Sequence, residues 1–170
     1  MKIILYPSIT IDGFIANLDG ECYSWINPAD EERYEDVVVR CGCVIVGRKT
    51  YEQYKSDYPS KKDVVTYVCT SSHIYQDEER MKFISGSPQE MLSTIEKDGF
   101  SEAVLCGGGE VNGLFASAGL VDEIILSINP HCLGNGIPLF GSYKPRLSME
   151  LISSNNDIEG VVQNHYRVIK

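Results

Sequence analysis

Two junctions between an apolar strand and a helix contain glycine, and both have residues that could bind a phosphate group. One is "GCVIVGRKT", residues 42–50, and the other is "AVLCGGGEVNGLF", residues 103–115. The first N–H groups of a helix have no partner within the helix and lie at the positive end of its dipole, so they attract anions. Glycine also allows a ligand to approach the backbone closely. The two patterns therefore predict a ligand that carries phosphate.

The first junction is not a P-loop. Gly42 and Gly47 have the required separation, but Arg48 stands where the motif needs lysine, and the spacer "CVIV" is typical of a strand. What remains is a strand that ends at Gly47, followed by Arg48, Lys49 and Thr50 in the first turn of a helix. Two cations are unfavourable at the positive end of a helix unless an anion lies between them. A solvated basic pair is the alternative interpretation.

The second junction is not the dinucleotide fingerprint G-x-G-x-x-G. Every register that begins in the three glycines places Val111 or Asn112 where the motif needs glycine. Three glycines before a helix that begins near Glu110 still expose backbone N–H groups at a positive helix end. A tight turn is the alternative, but a turn usually needs only one or two glycines. Contact with a pyrophosphate is therefore the favoured interpretation.

Composition limits the classes of partner. The net charge of −9 argues against a nucleic acid or an anionic membrane, since both are bound mainly through Lys and Arg. The apolar runs are only a few residues long, far below the roughly 18 to 20 that a membrane span requires. The start "MKIILYPSITIDG" lacks a secretory pattern. We expect one cytoplasmic domain over residues 1–170.

The cysteine and histidine patterns do not predict a metal site. The six cysteines contain no C-x-x-C, and several lie in apolar runs, where cysteine behaves as a small core residue. The histidines, at positions 73, 131 and 165, lack ligand spacing. Reduced structural thiols are the expectation, with a disulfide or a metal as the alternative.

Short apolar strands alternate with amphipathic helices, which is typical of an α/β fold. Strands are predicted over residues 3–9, 43–47, 64–69, 103–106, 121–130, 147–154 and 160–170, the last two as antiparallel neighbours. Helices are predicted over residues 27–41, 49–55, 87–99 and 110–119.

Three of the predicted helices have capping residues or an apolar face that supports the prediction. The first has Asn27 as its cap and Pro28 at its first position, and the third has a capping box of Ser87 and Glu90. In the last helix the apolar residues of one face are predicted to be buried: Val111, Leu114, Phe115 and Ala118.

The segments "VIVGRKTYE", "VCTSS" and "VLCGGGEVNGLF", in this order, resemble the dihydrofolate reductase superfamily over essentially the whole chain. The resemblance implies a three-layer α/β fold: a mixed, mostly parallel sheet with antiparallel C-terminal strands and helices on both faces. It also implies NADPH as cofactor. The residues implied to hold it are Gly47, Arg48, Lys49, Thr50, Thr70, Ser71, Ser72, Gly107, Gly108, Gly109, Glu110 and Val111. In this family the first two glycines are joined by a cis peptide bond, so a cis Gly107-Gly108 bond is predicted.

The segment "SWINPAD" resembles the family's W-x-x-P-A-D segment. The resemblance implies that Trp25 lies beside the nicotinamide and that Asp30 is the acid of the substrate pocket. Such an acid can bind an aminopyrimidine edge and make a C=N bond more electrophilic. Glu31 could serve equally, and first-turn helix stabilisation is the alternative role for Asp30. Ser127 is implied to hydrogen-bond the aspartate.

The segment "SITIDGFIAN" resembles the reductase branch of riboflavin biosynthesis. Ile15 and Ala16 are implied to border the nicotinamide, and "NPHCLGNGIPLF" to form a loop near the far side of the cleft. The arginine that binds the folate tail has no counterpart, because only Lys61 or Lys62 is available at an altered spacing. Folate is therefore a doubtful substrate.

These residues predict an NADPH-dependent reductase that transfers hydride to a C=N or carbonyl group of a pterin- or pyrimidine-like small molecule. One alternative is an NADP(H)-binding protein without turnover that acts as a sensor or assembly partner. Another is a pocket for flavin or a different nucleotide, which predicts little preference for NADPH over NADH. A homodimer through the C-terminal strands is possible, although a monomer buries the same pattern.

Overall fold

A computed structural model of the chain describes residues 1–57 and 63–170, so Lys61 and Lys62 lie outside the described residues. Its strands are β1 (Lys2–Leu5), β2 (Ser8–Thr10), β3 (Phe14–Ala16), β4 (Cys43–Gly47), β5 (Val65–Cys69), β6 (Met81–Ile84), β7 (Glu102–Gly107), β8 (Glu123–Asn129), β9 (Ile137–Pro138), β10 (Ser148–Asn155) and β11 (Val162–Ile169). Its α-helices are α1 (Pro28–Cys41), α2 (Arg48–Gln53), α3 (Pro88–Lys97) and α4 (Gly109–Ser117), and a 3-10 turn covers Lys55–Asp57.

Nine strands of the described residues form one mixed sheet in the order β10-β11-β8-β1-β7-β4-β5-β6, with β2 also paired to β8. The pairs from β8 through β6 are parallel, and the two pairs that involve β11 are antiparallel. The predicted antiparallel C-terminal strands are thus confirmed. Strand β6 was not predicted, because four residues that include Lys82 give only a weak strand pattern.

Both faces of the sheet are covered, which confirms the three-layer fold. Successive residues of β1 point to opposite faces: Ile3 and Leu5 join a cluster with α3 and α4, whereas Ile4 joins a cluster with α1. Strands β4 and β7 alternate in the same way. Apolar side chains on both faces explain why these strands appear in the sequence as continuous apolar runs.

The predicted helix signals are present at α1 and α3. The Asn27 side chain accepts a hydrogen bond from the N–H of Ala29, Pro28 is the first residue of α1, and the capping box of Ser87 and Glu90 is complete. Each signal depends on residues within one turn, which is why the sequence alone predicts it.

Two predicted elements differ from the structure. The strand over residues 3–9 is interrupted at Tyr6 and Pro7, since proline has no N–H for the ladder, and it continues as β2 beside β8. In α4 Phe115 is buried as predicted, but Val111 and Leu114 are only partly buried, whereas Asn112 and Gly113 are buried.

The buried face of α4 depends on a contact that the helical pattern does not reveal. A Cβ atom at Gly113 would lie 2.3 Å from the carbonyl oxygen of Phe140, so the helix packs there at backbone distance. Asn112 donates a hydrogen bond to the carbonyl oxygen of Leu139 at 3.1 Å. The segment that follows β9 therefore lies directly on α4.

The cysteines form no disulfide within the described residues, and Cys41, Cys43 and Cys69 are buried. Burial raises the pKa of the Cys43 and Cys69 thiols to about 12. In the described part of the chain no helix has the length and apolar character needed to cross a membrane.

Candidate functional site

A buried carboxylate lies between α1 and the sheet. Asp30, in the first turn of α1, is 1% exposed, whereas the neighbouring Glu31 is exposed. The Ser127 hydroxyl of β8 donates to Asp30 Oδ1 at 2.6 Å, so the predicted hydrogen bond is present. Burial favours Asp30 over Glu31 as the pocket acid, and the catalytic roles of Asp30 and Ser127 remain predictions.

Three further side chains that were not predicted also donate to Asp30. Ser8 donates to Oδ2 at 2.6 Å, and Tyr6 and Gln163 each donate to Oδ1 at 3.2 Å. The Gln163 amide nitrogen also lies 2.7 Å from the Tyr6 hydroxyl and 3.1 Å from the Ser127 hydroxyl. Ser8 and Gln163 each pair directly with Ser127 across the sheet, so the three side chains share one face. The sequence signal that could have identified Ser8 and Gln163 was the presence of a polar residue in each of these strands, as at Ser127 in β8.

The buried carboxylate changes the chemistry of Tyr6. Burial, and then the charge of Asp30, raises the pKa of the Tyr6 phenol above its ordinary value. A phenol is protonated at neutral pH even at its ordinary pKa, so the Tyr6 hydroxyl donates to Asp30 Oδ1. Its ring and that of Tyr34 form an edge-to-face pair, with centroids 5.5 Å apart, which restricts the orientation of the phenol.

The two glycine junctions predicted from the sequence meet at the carboxyl ends of β4 and β7. A Cβ atom at Gly47 would lie 2.8 Å from Cγ2 of Val111, and one at Gly108 would lie 2.9 Å from the Thr50 hydroxyl. The predicted cis Gly107-Gly108 bond is present, and Gly107 has φ of 105°, a conformation that favours glycine. Parallel pairing of β4 with β7 brings the junctions together.

Protein atoms, rather than open space, surround the start of α4. A Cβ atom at Gly109 would lie 2.5 Å from the carbonyl oxygen of Pro138. Glu110 accepts hydrogen bonds from the Ser142 N–H at 2.8 Å and from the Ser142 hydroxyl at 2.7 Å, and these bonds lower the pKa of its carboxyl group. Glycine is thus required here by packing, and contact with a pyrophosphate remains a prediction.

A cavity of about 240 Å³ adjoins these junctions. It is lined by Thr70 and Ser71, which follow β5, and by Val111 of α4, so two of the predicted segments share it. Ser72 donates its N–H to the Thr70 hydroxyl at 3.0 Å and stabilises the turn after β5. The lining also includes residues that were not predicted: Ser85, Gly86, Leu114 and Tyr143.

The two cations of the first junction have different surroundings. Arg48 donates from Nη1 to Glu52 Oε2 at 2.7 Å, one turn along α2. Lys49 lies near enough to Glu110 for its charge to lower the pKa of that carboxyl group. The prediction that Arg48 and Lys49 flank a bound anion is therefore modified, because the Glu52 carboxylate already contacts Arg48. The (i, i+4) spacing of Arg48 and Glu52 is visible in the sequence.

The predicted nicotinamide-side residues lie in and after β3. Ile15 and Ala16 belong to β3, which pairs with β9 through Phe14 and Pro138, and the Pro138 carbonyl oxygen faces Gly109 as described above. The segment over residues 129–140 was expected at the far side of the cleft. It contains β9 and reaches the start of α4, and its position relative to a bound ligand stays a prediction.

Trp25 is 6% exposed, and its indole Nε1 is buried with no hydrogen-bond partner among the described residues. A buried indole N–H without a partner is uncommon, since most buried polar groups are paired. The position of Trp25 beside a nicotinamide stays a prediction.

The other end of α4 has a larger groove of about 490 Å³, lined in part by Ser117, Lys144, Arg146 and Leu147. None of the predicted site residues lines it. The predicted cofactor-binding residues of α4 lie at the beginning of this helix. The candidate site is therefore the junction region and not this groove.

Comparison with known proteins gives consistent matches. The family model of the RibD C-terminal domain matches residues 1–163. The uncharacterized protein YwjB of Bacillus subtilis (strain 168) is 30% identical over 170 residues, which cover 97% of both chains. A putative riboflavin biosynthesis protein from Shewanella sp. PV-4 has a TM-score of 0.85 at 23% identity, with 100% of each chain covered. A dihydrofolate reductase from Enterococcus faecalis, complexed with NADP(H), has a TM-score of 0.77 at 16% identity, covering 99% and 97% of the two chains. The two structures are similar to this chain in fold.

Proposed function

Because this chain belongs to the RibD C-terminal domain family, we propose that it is an NADPH-dependent reductase. Its substrate would be a pterin- or pyrimidine-like small molecule, such as a ribosylaminopyrimidine. The observation that carries the proposal is the meeting of the two glycine junctions, at Gly47 and Gly108, beside the cavity that Thr70 and Ser71 line. This meeting supports a nucleotide that extends along the carboxyl ends of β4, β5 and β7.

The residues of the site fit NADP(H) in four respects. The start of α4, with Gly108 as its cap, lies at the positive end of the helix dipole, which suits a pyrophosphate. Arg48 and Lys49 offer cations to a 2′-phosphate, and the hydroxyls of Thr70 and Ser71 suit a ribose. Trp25 offers an unpaired indole N–H. When bound, NADPH would supply hydride from C4 of its nicotinamide.

The substrate would lie on the side of the site that contains Asp30. The Asp30 carboxylate and the Gln163 amide form a polar group in an otherwise apolar region between α1 and the sheet. The Gln163 amide donates through its nitrogen to Asp30, Tyr6 and Ser127, and its oxygen is the acceptor that would suit an N–H of a pyrimidine ring. Ser127 and Ser8 would hold the carboxylate in a fixed orientation while a substrate binds.

One observation favours the second candidate, an NADP(H)-binding protein without turnover. Four protein donors already contact the two oxygens of Asp30, and the residue is 1% exposed. A carboxylate with so many partners has little capacity left for a substrate. In this candidate function Asp30 fixes the position of α1 on the sheet.

A comparison of the parent protein with Asp30→Asn separates the two functions. Trp25 is the only tryptophan, so its fluorescence reports NADPH binding at the site. The reductase proposal predicts that the parent oxidises NADPH with a ribosylaminopyrimidine or dihydrofolate, and that D30N binds NADPH but has lost the oxidation. NADPH binding without oxidation of either substrate by the parent would favour the binding protein. A parent that does not bind NADPH contradicts both.

A further inference from the structure

We propose that Glu52 tunes coenzyme selectivity by competing with the 2′-phosphate of NADP(H) for Arg48. The inference rests on the proposed function, since it assumes that the cofactor's adenosine end lies at the start of α2. Glu52 lowers the affinity for the phosphorylated coenzyme, whereas Arg48 is the residue expected to raise it.

The competing contact is direct. Arg48 Nη1 lies 2.7 Å from Glu52 Oε2, and both side chains remain partly accessible, at 39% and 43% exposure. A ligand phosphate that reaches the guanidinium therefore finds a carboxylate already bound to it. Unless Arg48 turns away from Glu52, the phosphate and the carboxylate must share one cation.

A second contact keeps Glu52 in place. The Tyr75 hydroxyl donates to the other oxygen of the carboxylate, Oε1. The Tyr75 ring stacks on Phe83 of β6, with centroids 4.7 Å apart and planes at 13°, and it meets the ring of Tyr51 edge-on at 6.5 Å. Since Tyr51 is buried, the aromatic group connects the loop after β5 to α2. Glu52 is thus restrained beside Arg48 from two sides.

The carboxylate keeps its charge when a coenzyme binds at neutral pH. The Tyr75 hydroxyl, and then Arg48, lowers the pKa of the Glu52 carboxyl group below its ordinary value. An exposed (i, i+4) ion pair is weak, whereas a bidentate arginine–phosphate pair is among the stronger charged contacts. A phosphate can therefore displace Glu52 from Arg48, but Tyr75 retains the negative charge nearby and the repulsion remains.

Removing the charge of Glu52 should therefore favour the phosphorylated ligand selectively. The test variant is Glu52→Gln, which keeps the side-chain shape. The matched control is Glu150→Gln, which removes a carboxylate from another exposed arginine pair, with Arg167, at the opposite edge of the sheet. Calorimetric titration would use adenosine 2′,5′-bisphosphate, adenosine 5′-monophosphate, NADPH and NADH as probes.

For E52Q the dissociation constants of the bisphosphate and of NADPH should fall about three- to tenfold, as expected for one repulsive charge at several ångströms in water. Those of the monophosphate and NADH should stay within about twofold, and E150Q should change none of them. Tyr75→Phe, which keeps the stacked ring, should shift the bisphosphate constant in the same direction by a smaller factor.

Three results would overturn the inference. Unchanged or weaker bisphosphate binding by E52Q would show that Glu52 does not compete, and equal tightening of bisphosphate and monophosphate would show that the effect is not specific to the 2′-phosphate. An equal effect of E150Q on bisphosphate binding would show that the change in net charge alone causes the tightening. The proposed function fails separately, if the parent protein binds none of the four probes.

Discussion

The Ser127 hydroxyl lies 2.6 Å from Asp30 Oδ1, although 97 positions of sequence separate the two residues. The contact joins α1 to β8, and both residues are buried. Ser8 and Gln163 flank Ser127 on the adjacent strands and donate to the same carboxylate. A single buried charge is thus shared by a helix and three strands.

Replacing Ser127 by alanine should destabilise the protein, because it removes one donor from a buried carboxylate. The expected loss in the free energy of unfolding is about 1 to 3 kcal/mol. Urea unfolding at neutral pH measures it. Ser153→Ala, on the exposed strand β10, is the control and should change the free energy by less than about 0.5 kcal/mol. A loss no larger than that of the control would mean that the other three donors fully compensate.

Replacing Gly109 by alanine should be destabilising for steric reasons. The new Cβ atom would lie 2.5 Å from the Pro138 carbonyl oxygen, a backbone atom, so the segment over residues 138–141 must move away from α4. Overpacking of this kind costs about 1 to 3 kcal/mol. Thermal unfolding of G109A beside Ser117→Ala, an exposed position of the same helix, measures the difference. Equal melting temperatures would contradict the predicted clash.

The stability of the segment after β8 should depend on the ionisation of Asp12. Asp12 accepts hydrogen bonds from the Thr10 hydroxyl at 2.6 Å and from the N–H groups of Leu133 and Gly134 at 3.1 and 2.7 Å. The Thr10 hydroxyl, followed by the Gly134 and Leu133 N–H groups, lowers the pKa of the Asp12 carboxyl group from its ordinary value of 3.8.

A pKa that is lower in the folded state means that Asp12 contributes stability above about pH 4, and that this contribution is lost as the pH falls through the folded-state value. The unfolding free energy of the parent should therefore decrease more steeply below about pH 4 than that of Asp12→Asn. Asp36→Asn, which removes an exposed carboxylate of α1, is the control for the change in net charge. If the unfolding free energies of the parent and of D12N fell equally steeply below about pH 4, Asp12 would not contribute as proposed.

Arg48→Gln should weaken the binding of NADPH about tenfold or more, since a charged hydrogen bond to phosphate would be lost, and should leave NADH binding nearly unchanged. Ser71→Ala, at the cavity, should reduce the same preference by a smaller factor. Titration with both coenzymes, monitored by Trp25 fluorescence, provides the comparison. If the parent protein shows no preference for NADPH, the alternative of a flavin or another nucleotide gains support.

The exposed edge strand β10 predicts self-association. All eight of its residues are exposed, including Met149, Leu151 and Ile152 at 44%, 54% and 42%, and an unpaired strand edge readily pairs with another strand. Light scattering after size-exclusion chromatography should give the mass of two chains. Leu151→Lys should shift the mass toward one chain, whereas Leu18→Lys, at an exposed loop position, should not. A parent protein that elutes as a monomer at high concentration would exclude the dimer.

Local signals in the sequence determined the helices and most of the strands. The caps at Asn27 and Ser87 depend on hydrogen bonds within one turn, and the buried strands β4 and β7 depend on runs of β-branched and apolar residues. The resemblance of short motifs also predicted the cis bond at Gly107 and the contact between Asp30 and Ser127. The pair of Arg48 and Glu52 was available from its spacing alone.

Only the tertiary structure decided which distant residues meet. Strand order places Ser8 and Gln163 on either side of Ser127. The pattern of residues within one strand does not predict which strands become its neighbours. The glycines after β7 are needed partly because Thr50 and Pro138 approach the backbone there, which depends on the pairing of β4 with β7 and on β9. The physical reason is range: capping and periodicity act over a few residues, whereas the site is formed by side chains that the packed sheet brings together across the whole chain.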